Sequence, residues 1–105
     1  MEGQMAIKGM KLVSLSVQQL IDCADEYWGN MGCRGGWPYY AWYYTQYFGL
    51  EDEKDYPYRG FMSKCKHRPR NALVATKRGE PYFEAGNVPW ALKLAISKGP
   101  QAAAI

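Results

Sequence analysis

The chain has no apolar run long enough to cross a membrane, a single histidine and only three cysteines. Each shortage excludes something. A spanning helix needs about 20 consecutive apolar residues, so no membrane partner is expected. The first twenty residues alternate Lys, Gln, Ser and Met without a long apolar segment, so neither a secretory signal nor an anchor is expected there. Cys23, Cys33 and Cys65 lie 10 and 32 positions apart, which does not provide the close ligand pairs of a zinc knuckle or ribbon. No structural metal or cofactor is expected. The odd cysteine count leaves one thiol without a partner inside the chain.

What is present argues for a packed fold. Apolar residues make up 48% of the 105 positions, too many for a disordered chain. The length fits one small domain or part of a larger one, with a modest core. The net charge is only +3 but is unevenly spread: residues 1–63 hold five basic and eight acidic side chains, residues 64–105 eight and two. That split points to a boundary near Ser63.

Three helices announce their ends. In "SLSVQQLIDCA", Ser16 is placed to cap and Gln19 to reach back, a capping box. Leu15 and Leu20 stand where a hydrophobic staple would, and Val17, Leu20, Ile21 and Ala24 predict one core face. A second helix begins at Pro38, whose missing N–H needs no partner there, and stops before Gly49. Eight of the twelve residues from Trp37 to Phe48 are aromatic, which predicts burial on most faces. A third runs from about Val88 to Lys98, with Asn87 as cap, Gly99-Pro100 as stop, and Val88, Leu92, Ala95 and Ile96 on one face. "DYPYRG" reads as a turn-rich connection, "ALVATK" as a short strand and "QAAAI" as the start of another. Internal repeats and low-complexity segments are absent.

The stretch "GCRGGWPYYAWYYTQYFG" sets glycines directly before the aromatic helix. Glycine permits positive φ or close backbone approach, so Gly35-Gly36 could expose main-chain groups to an extended peptide by strand addition, with Trp37 and Pro38 as an apolar wall. A tight turn into a buried helix explains the same residues.

The ordered motifs "LVSLSVQQLIDCAD", "GNMGCRGGWPYYAWYY", "GLEDEKDYPYRG", "KC" and "GP" resemble the papain-like cysteine peptidases, most closely the cathepsin L branch. The resemblance implies an α+β, papain-like fold: a mostly helical left-hand part, about 1–63, and the start of a β-rich right-hand part, about 64–105. By position, Gly36 would bond the substrate backbone beside Gly35. Trp37 and Pro38 would line the S2 pocket, Met31 would lie near S3, and Ala104 would form part of the S2 wall. Arg34 stands where Asn is usual and would alter the charge at the cleft edge. Cys23 and Cys65 match disulfide positions, and Cys33 matches one whose partner precedes the nucleophile, leaving Cys33 unpaired here.

The same resemblance places the nucleophilic cysteine and the oxyanion glutamine upstream of Met1, and the catalytic histidine and asparagine beyond Ile105. No catalytic residue is expected within 1–105, and the chain alone is expected to be inactive. His67, in the basic run "KCKHRPR", is expected to be a solvated surface residue. Later strands complete the right-hand part in the family, so the chain alone is also expected to be poorly stable, with unpaired strand edges. For a complete enzyme the implied partners are peptide substrates and propeptide or cystatin-type inhibitors, in a lysosomal or extracellular setting. Two other function classes fit parts of the sequence. A non-catalytic peptide-binding or regulatory fragment would use the cleft floor alone and bind weakly. A nucleic-acid module would use Lys64, Lys66, Arg68, Arg70, Lys77 and Arg78, but the aromatics are not interleaved with those residues as stacking requires. No nucleic-acid partner is expected.

Overall fold

The computed structural model describes residues 1–79, 82 and 84–103. Along these run α1 (Glu2–Ile7), α2 (Val17–Cys23), α3 (Pro38–Phe48), β1 (Leu50–Glu51), β2 (Ala72–Val74) and α4 (Pro89–Lys98), with short 3-10 turns between them. They group into two compact units, Val13–Glu80 and Met1–Leu12 with Pro81–Ile105.

In the larger unit α2 starts at Ser16, whose Oγ accepts the Gln19 N–H at 3.0 Å and donates to the Tyr56 carbonyl at 2.6 Å. The cap forms, but the return arm of the capping box does not. The Gln19 amide instead crosses the unit: Oε1 accepts from the Glu51 N–H at 2.8 Å, and Nε2 donates to Tyr44 Oη at 2.9 Å and the Gly49 carbonyl at 3.0 Å.

Of the apolar face that its periodicity predicts, only Ala24 is buried. Val17 is 54% exposed and Leu20 and Ile21 are half-buried, while Gln18, Gln19, Asp22 and Cys23 point inward. The cause is the irregular chain that follows β1, whose backbone groups lack sheet partners and cannot be left dry. Gln18 accepts from the Arg59 N–H and donates to the Phe61 carbonyl, both at 2.8 Å. Asp22 accepts from the Ser63 N–H at 2.9 Å and from Tyr56 Oη at 2.8 Å. Polar side chains are inside because the loops need them.

α3 begins with Pro38 at its first turn and ends at Gly49. Gly49 has φ +66°, and a Cβ there would sit 2.7 Å from the Val74 carbonyl oxygen, so only glycine lets the chain turn directly into the sheet. β1 pairs antiparallel with β2, Leu50 opposite Val74 and Glu51 opposite Ala72. On its other side, Ser16 N–H donates to the Glu51 carbonyl and Glu53 N–H to the Ser14 carbonyl, both at 2.9 Å. The expected burial of α3 on most faces is corrected: Tyr44, Thr45 and Gln46 are buried, whereas Tyr39, Tyr40, Tyr43, Tyr47 and Phe48 are exposed. Trp28 packs edge-on against Tyr44 and Phe48, and a unit of this size has too little interior for the other rings. Tyrosine tolerates this because its hydroxyl can stay in water.

In the smaller unit α1 buries Met5, and a Cβ on Gly3 would lie 2.7 Å from Pro100 Cγ, so the chain after α4 passes close to α1. α4 starts one residue later than its sequence predicts. Val88, not Asn87, is the N-cap, and it makes no side-chain cap bond, with Pro89 in the first turn where its lack of an N–H is harmless. The predicted apolar face is uncovered: Val88, Leu92 and Ile96 are all exposed, and no residue of α4 is buried. Residues 101–103 of "QAAAI" have no regular structure, and Ala104 and Ile105 lie outside the described residues.

Candidate functional site

Residues 31–38 make a compact rim at the start of α3. Met31 N–H donates to the Gly35 carbonyl at 2.9 Å, closing the 3-10 turn Gly32–Arg34. The two glycines are required for different reasons. Gly35 has φ +113° with nothing near its absent Cβ, a conformational requirement; a Cβ on Gly36 would collide with the carboxamide of Asn30, a packing requirement. Asn30 is buried, and its Oδ1 accepts the Trp37 N–H at 2.9 Å. That bond fixes where the chain enters α3. Nothing local marks Asn30 beyond its place before a turn.

Beside this rim lies an open cavity of about 210 Å³, walled by Gly36, Trp37 and Pro38 on one side and, on the other, by Val17, Leu20 and Ile21 of α2 and the buried Ala24 that ends it. The three residues of the stripe that stay out of the core therefore line a surface cavity. Among the described residues, neither the N–H nor the carbonyl of Gly36 is used in an intramolecular hydrogen bond. Trp37 is 67% exposed and Met31 is also exposed. Gly35, Gly36, Trp37, Pro38 and Met31 thus sit together, presenting main-chain groups next to an apolar wall. Ala104 lies outside the described residues. Arg34 reaches Glu26 at 3.4 Å in a fully solvated pair, so its charge at this rim is partly offset, with little gain in stability.

Cys23 and Cys65 are joined by a disulfide, and Cys33 is free and exposed in the turn before the glycines. His67 is not the surface residue its basic neighbours predict. Its side chain is only 6% exposed, and Nδ1 lies 2.6 Å from Oε2 of the buried Glu51. Arg68 N–H adds a second bond to the same oxygen at 3.1 Å. Nothing local in the sequence marks this, because the partner is 16 positions upstream. The flanking lysines and arginines face solvent while the imidazole turns in.

The polar interior also holds two tyrosines away from their ordinary range. Burial pushes Tyr44 up to about 12, opposed by its bond from Gln19. Burial likewise pushes Tyr56 up to about 12; the Lys66 N–H opposes the shift and the neighbouring Asp22 carboxylate adds to it.

The family model for papain family cysteine proteases matches residues 1–105. Cathepsin S of Rattus norvegicus is 40% identical over 106 residues, covering 95% of this chain and 30% of that protein. Cathepsin L2 of Homo sapiens is 41% identical over 101 residues, again 95% and 30%. Among solved structures, the Carica candamarcensis cysteine protease CMS1MS2 in complex with E-64 superimposes with TM-score 0.73 at 31% identity, over 93% of this chain and 44% of that one. Digestive procathepsin L 3 of the Tenebrio molitor larval midgut gives TM-score 0.66 at 38% identity, over 70% and 24%. The chain therefore spans about 30% of the length of the curated relatives it matches. Matched throughout, and with helices and a small antiparallel sheet arranged as in those structures, the chain has the α+β papain-like fold and belongs to the papain family of cysteine proteases.

Proposed function

We propose that residues 31–38 form the floor of the peptide cleft of a papain-like cysteine peptidase. The N–H and carbonyl of Gly36 pair with the main chain of an extended substrate by strand addition. Trp37 and Pro38 wall an apolar S2 pocket, Met31 lies toward S3, and Gly35 sets the turn. Ala104 closes S2 by family correspondence. The observation that carries this reading is the uncommitted main chain of Gly36, held against Asn30 at the edge of an apolar cavity.

The reaction of the whole enzyme is peptide-bond hydrolysis through a thiolate acyl-enzyme, with no metal or cofactor. Within residues 1–105 the free thiol is exposed on a turn and the one imidazole is buried against a carboxylate. This supports a chain that binds peptide and does not cleave it. Relatives solved as a procathepsin and as a proform support a propeptide as partner of the whole enzyme, beside cystatin-type inhibitors, in a lysosomal or extracellular compartment. Residues 1–63 then belong to the left-hand part and 64–105 to the right-hand part.

Calorimetric titration of the chain with a blocked peptide bearing Leu or Phe at P2 tests the binding. Saturable binding is expected, Gly36→Ala should remove it, and mass spectrometry should find no product. Undiminished binding by Gly36→Ala would overturn the cleft assignment. Turnover abolished by a thiol alkylator and by Cys33→Ser would overturn the non-catalytic reading.

A further inference from the structure

After "DYPYRG" the chain runs over residues 62–68 without a turn or bend, and Arg68 has extended backbone, φ −113° and ψ 109°. Extended chain sends alternate side chains to opposite faces. Two inward ties fix which face is which: Cys65 is bonded to Cys23, and His67 turns in to Glu51. Lys64, Lys66 and Arg68 are left on the other face, all exposed, at intervals of about 6.6 Å. None of the three makes an ion pair among the described residues. Arg59 joins Lys66 and Arg68 around a cavity of about 150 Å³. Of the carboxylates there, Asp22 and Glu51 are buried and already bonded inward, and Asp55 is exposed.

The main chain of this segment divides in the same way. Along an extended chain, the N–H and carbonyl groups of successive residues point to opposite edges. The N–H groups of Lys66 and Arg68 are taken up inside, by Tyr56 Oη at 3.0 Å and Glu51 Oε2 at 3.1 Å. Cys65 and His67 lie on the other edge, and neither their N–H nor their carbonyl groups have an intramolecular partner among the described residues. Such an open edge is a template for a further strand. A second copy of this segment does not fit it, because cation would face cation. A nucleic acid needs aromatic rings between the cations for its bases to stack on, and residues 64–70 hold only the inward imidazole. A peptide with an acid at every second position repeats the spacing of the cations.

We propose that residues 64–68 form a docking edge for an extended acidic peptide. The peptide adds as a strand through the main chain of Cys65 and His67 and sets alternate Asp or Glu side chains against Lys64, Lys66 and Arg68. These three occupy the positions at which facing side chains of antiparallel strands come closest. The disulfide and the His67–Glu51 pair hold the register that puts the cations in single file. A basic loop without those ties would attract anions and prefer no spacing. No residue of this edge lines the cavity beside Gly36.

The test titrates the oxidised chain at low salt, read by NMR, with three blocked peptides of equal length. One alternates Thr and Glu, one holds the same residues with all Glu in a block, and one alternates Thr and Gln. The alternating acidic peptide should bind saturably, slow the exchange of the Cys65 and His67 amides, and leave Gly36 and Trp37 unmoved. The block peptide has the same charge but should bind about tenfold more weakly, the combined loss of the cross-strand charge pairs. The Gln peptide should not bind. The triple variant Lys64→Gln, Lys66→Gln, Arg68→Gln changes only exposed side chains and keeps the inward main-chain bonds. It should erase the preference for the alternating peptide over the block one. Equal affinity of either control peptide overturns the proposal, since binding then ignores the register. So does the absence of saturable binding, equally tight binding of an oligouridylate of the same charge, or protection that appears at Gly36 in place of Cys65 and His67.

Discussion

Two helices with the same kind of apolar stripe end in different circumstances. α2, in the unit Val13–Glu80, is fixed through its other face: Gln18, Gln19 and Asp22 are buried and bonded to the loops around them, and Cys23 is tied to Cys65. α4, in the unit Met1–Leu12 with Pro81–Ile105, has an equally regular stripe and buries no residue at all. The stripe of α2 lines a cavity and that of α4 meets solvent. Periodicity marks a face that wants a cover. It does not say that the cover is there. In this chain buried polar contacts and a disulfide, more than apolar burial, hold α2 in place.

The strongest way to break the contrast is to cut the disulfide. Cys23 and Cys65 are 42 positions apart, and closing such a loop is worth about 4 kcal/mol in the chain-entropy picture. Reduction, or Cys65→Ser, should lower the urea midpoint of the larger unit accordingly. Peptide mapping without reductant should find Cys23 joined to Cys65, with Cys33 open to alkylation and prone to link two chains.

Next in size is Gln19→Leu. It strands the Glu51 N–H, the Gly49 carbonyl and Tyr44 Oη, all at a fully buried position, and should cost about 3 kcal/mol in equilibrium unfolding, since each orphaned group costs about 1–3. A cost near zero would mean that the polar face of α2 is replaceable.

Alkali provides a third test. Tyr44 and Tyr56 are raised from 10.0 to about 12, so the folded state holds their protons more tightly than the unfolded chain. The stability this contributes is complete below the ordinary tyrosine value and is lost as pH rises through the folded one. Phenolate absorbance should show two of the nine tyrosines ionising late, with loss of fold between about pH 10 and 12. Release of all nine together would contradict the buried placement.

The smallest effect is expected in α4. Ile96→Ala removes an exposed side chain and should change stability by no more than about 0.5 kcal/mol, with α4 amides exchanging far faster than those of α2 and α3.

Local signals were legible and distant ones were not. Pro38 and Gly49 delimit α3 because each acts on its own backbone, and Ser16 caps α2 because its target is three residues on. The rim residues Met31 to Pro38 sit together because they are contiguous in the chain. The buried face of α2 depends on backbone groups at 51, 59, 61 and 63, more than thirty positions away, and no periodicity encodes them. The placement of His67 is hidden because its neighbours in sequence are basic, while its environment is made by Glu51 and Gln19. The exposure of the tyrosines on α3 follows from how little interior the unit has, which composition does not reveal.

The measurement closest to the central claim is the amide signal of Gly36 during titration with a blocked, apolar-P2 peptide. If residues 31–38 are a cleft floor read through the main chain, the Gly36 N–H should move downfield and gain protection from exchange, with Trp37 responding beside it and the peptide recovered intact. Saturable binding that leaves Gly36 and Trp37 unmoved, with the shifts elsewhere, would contradict it.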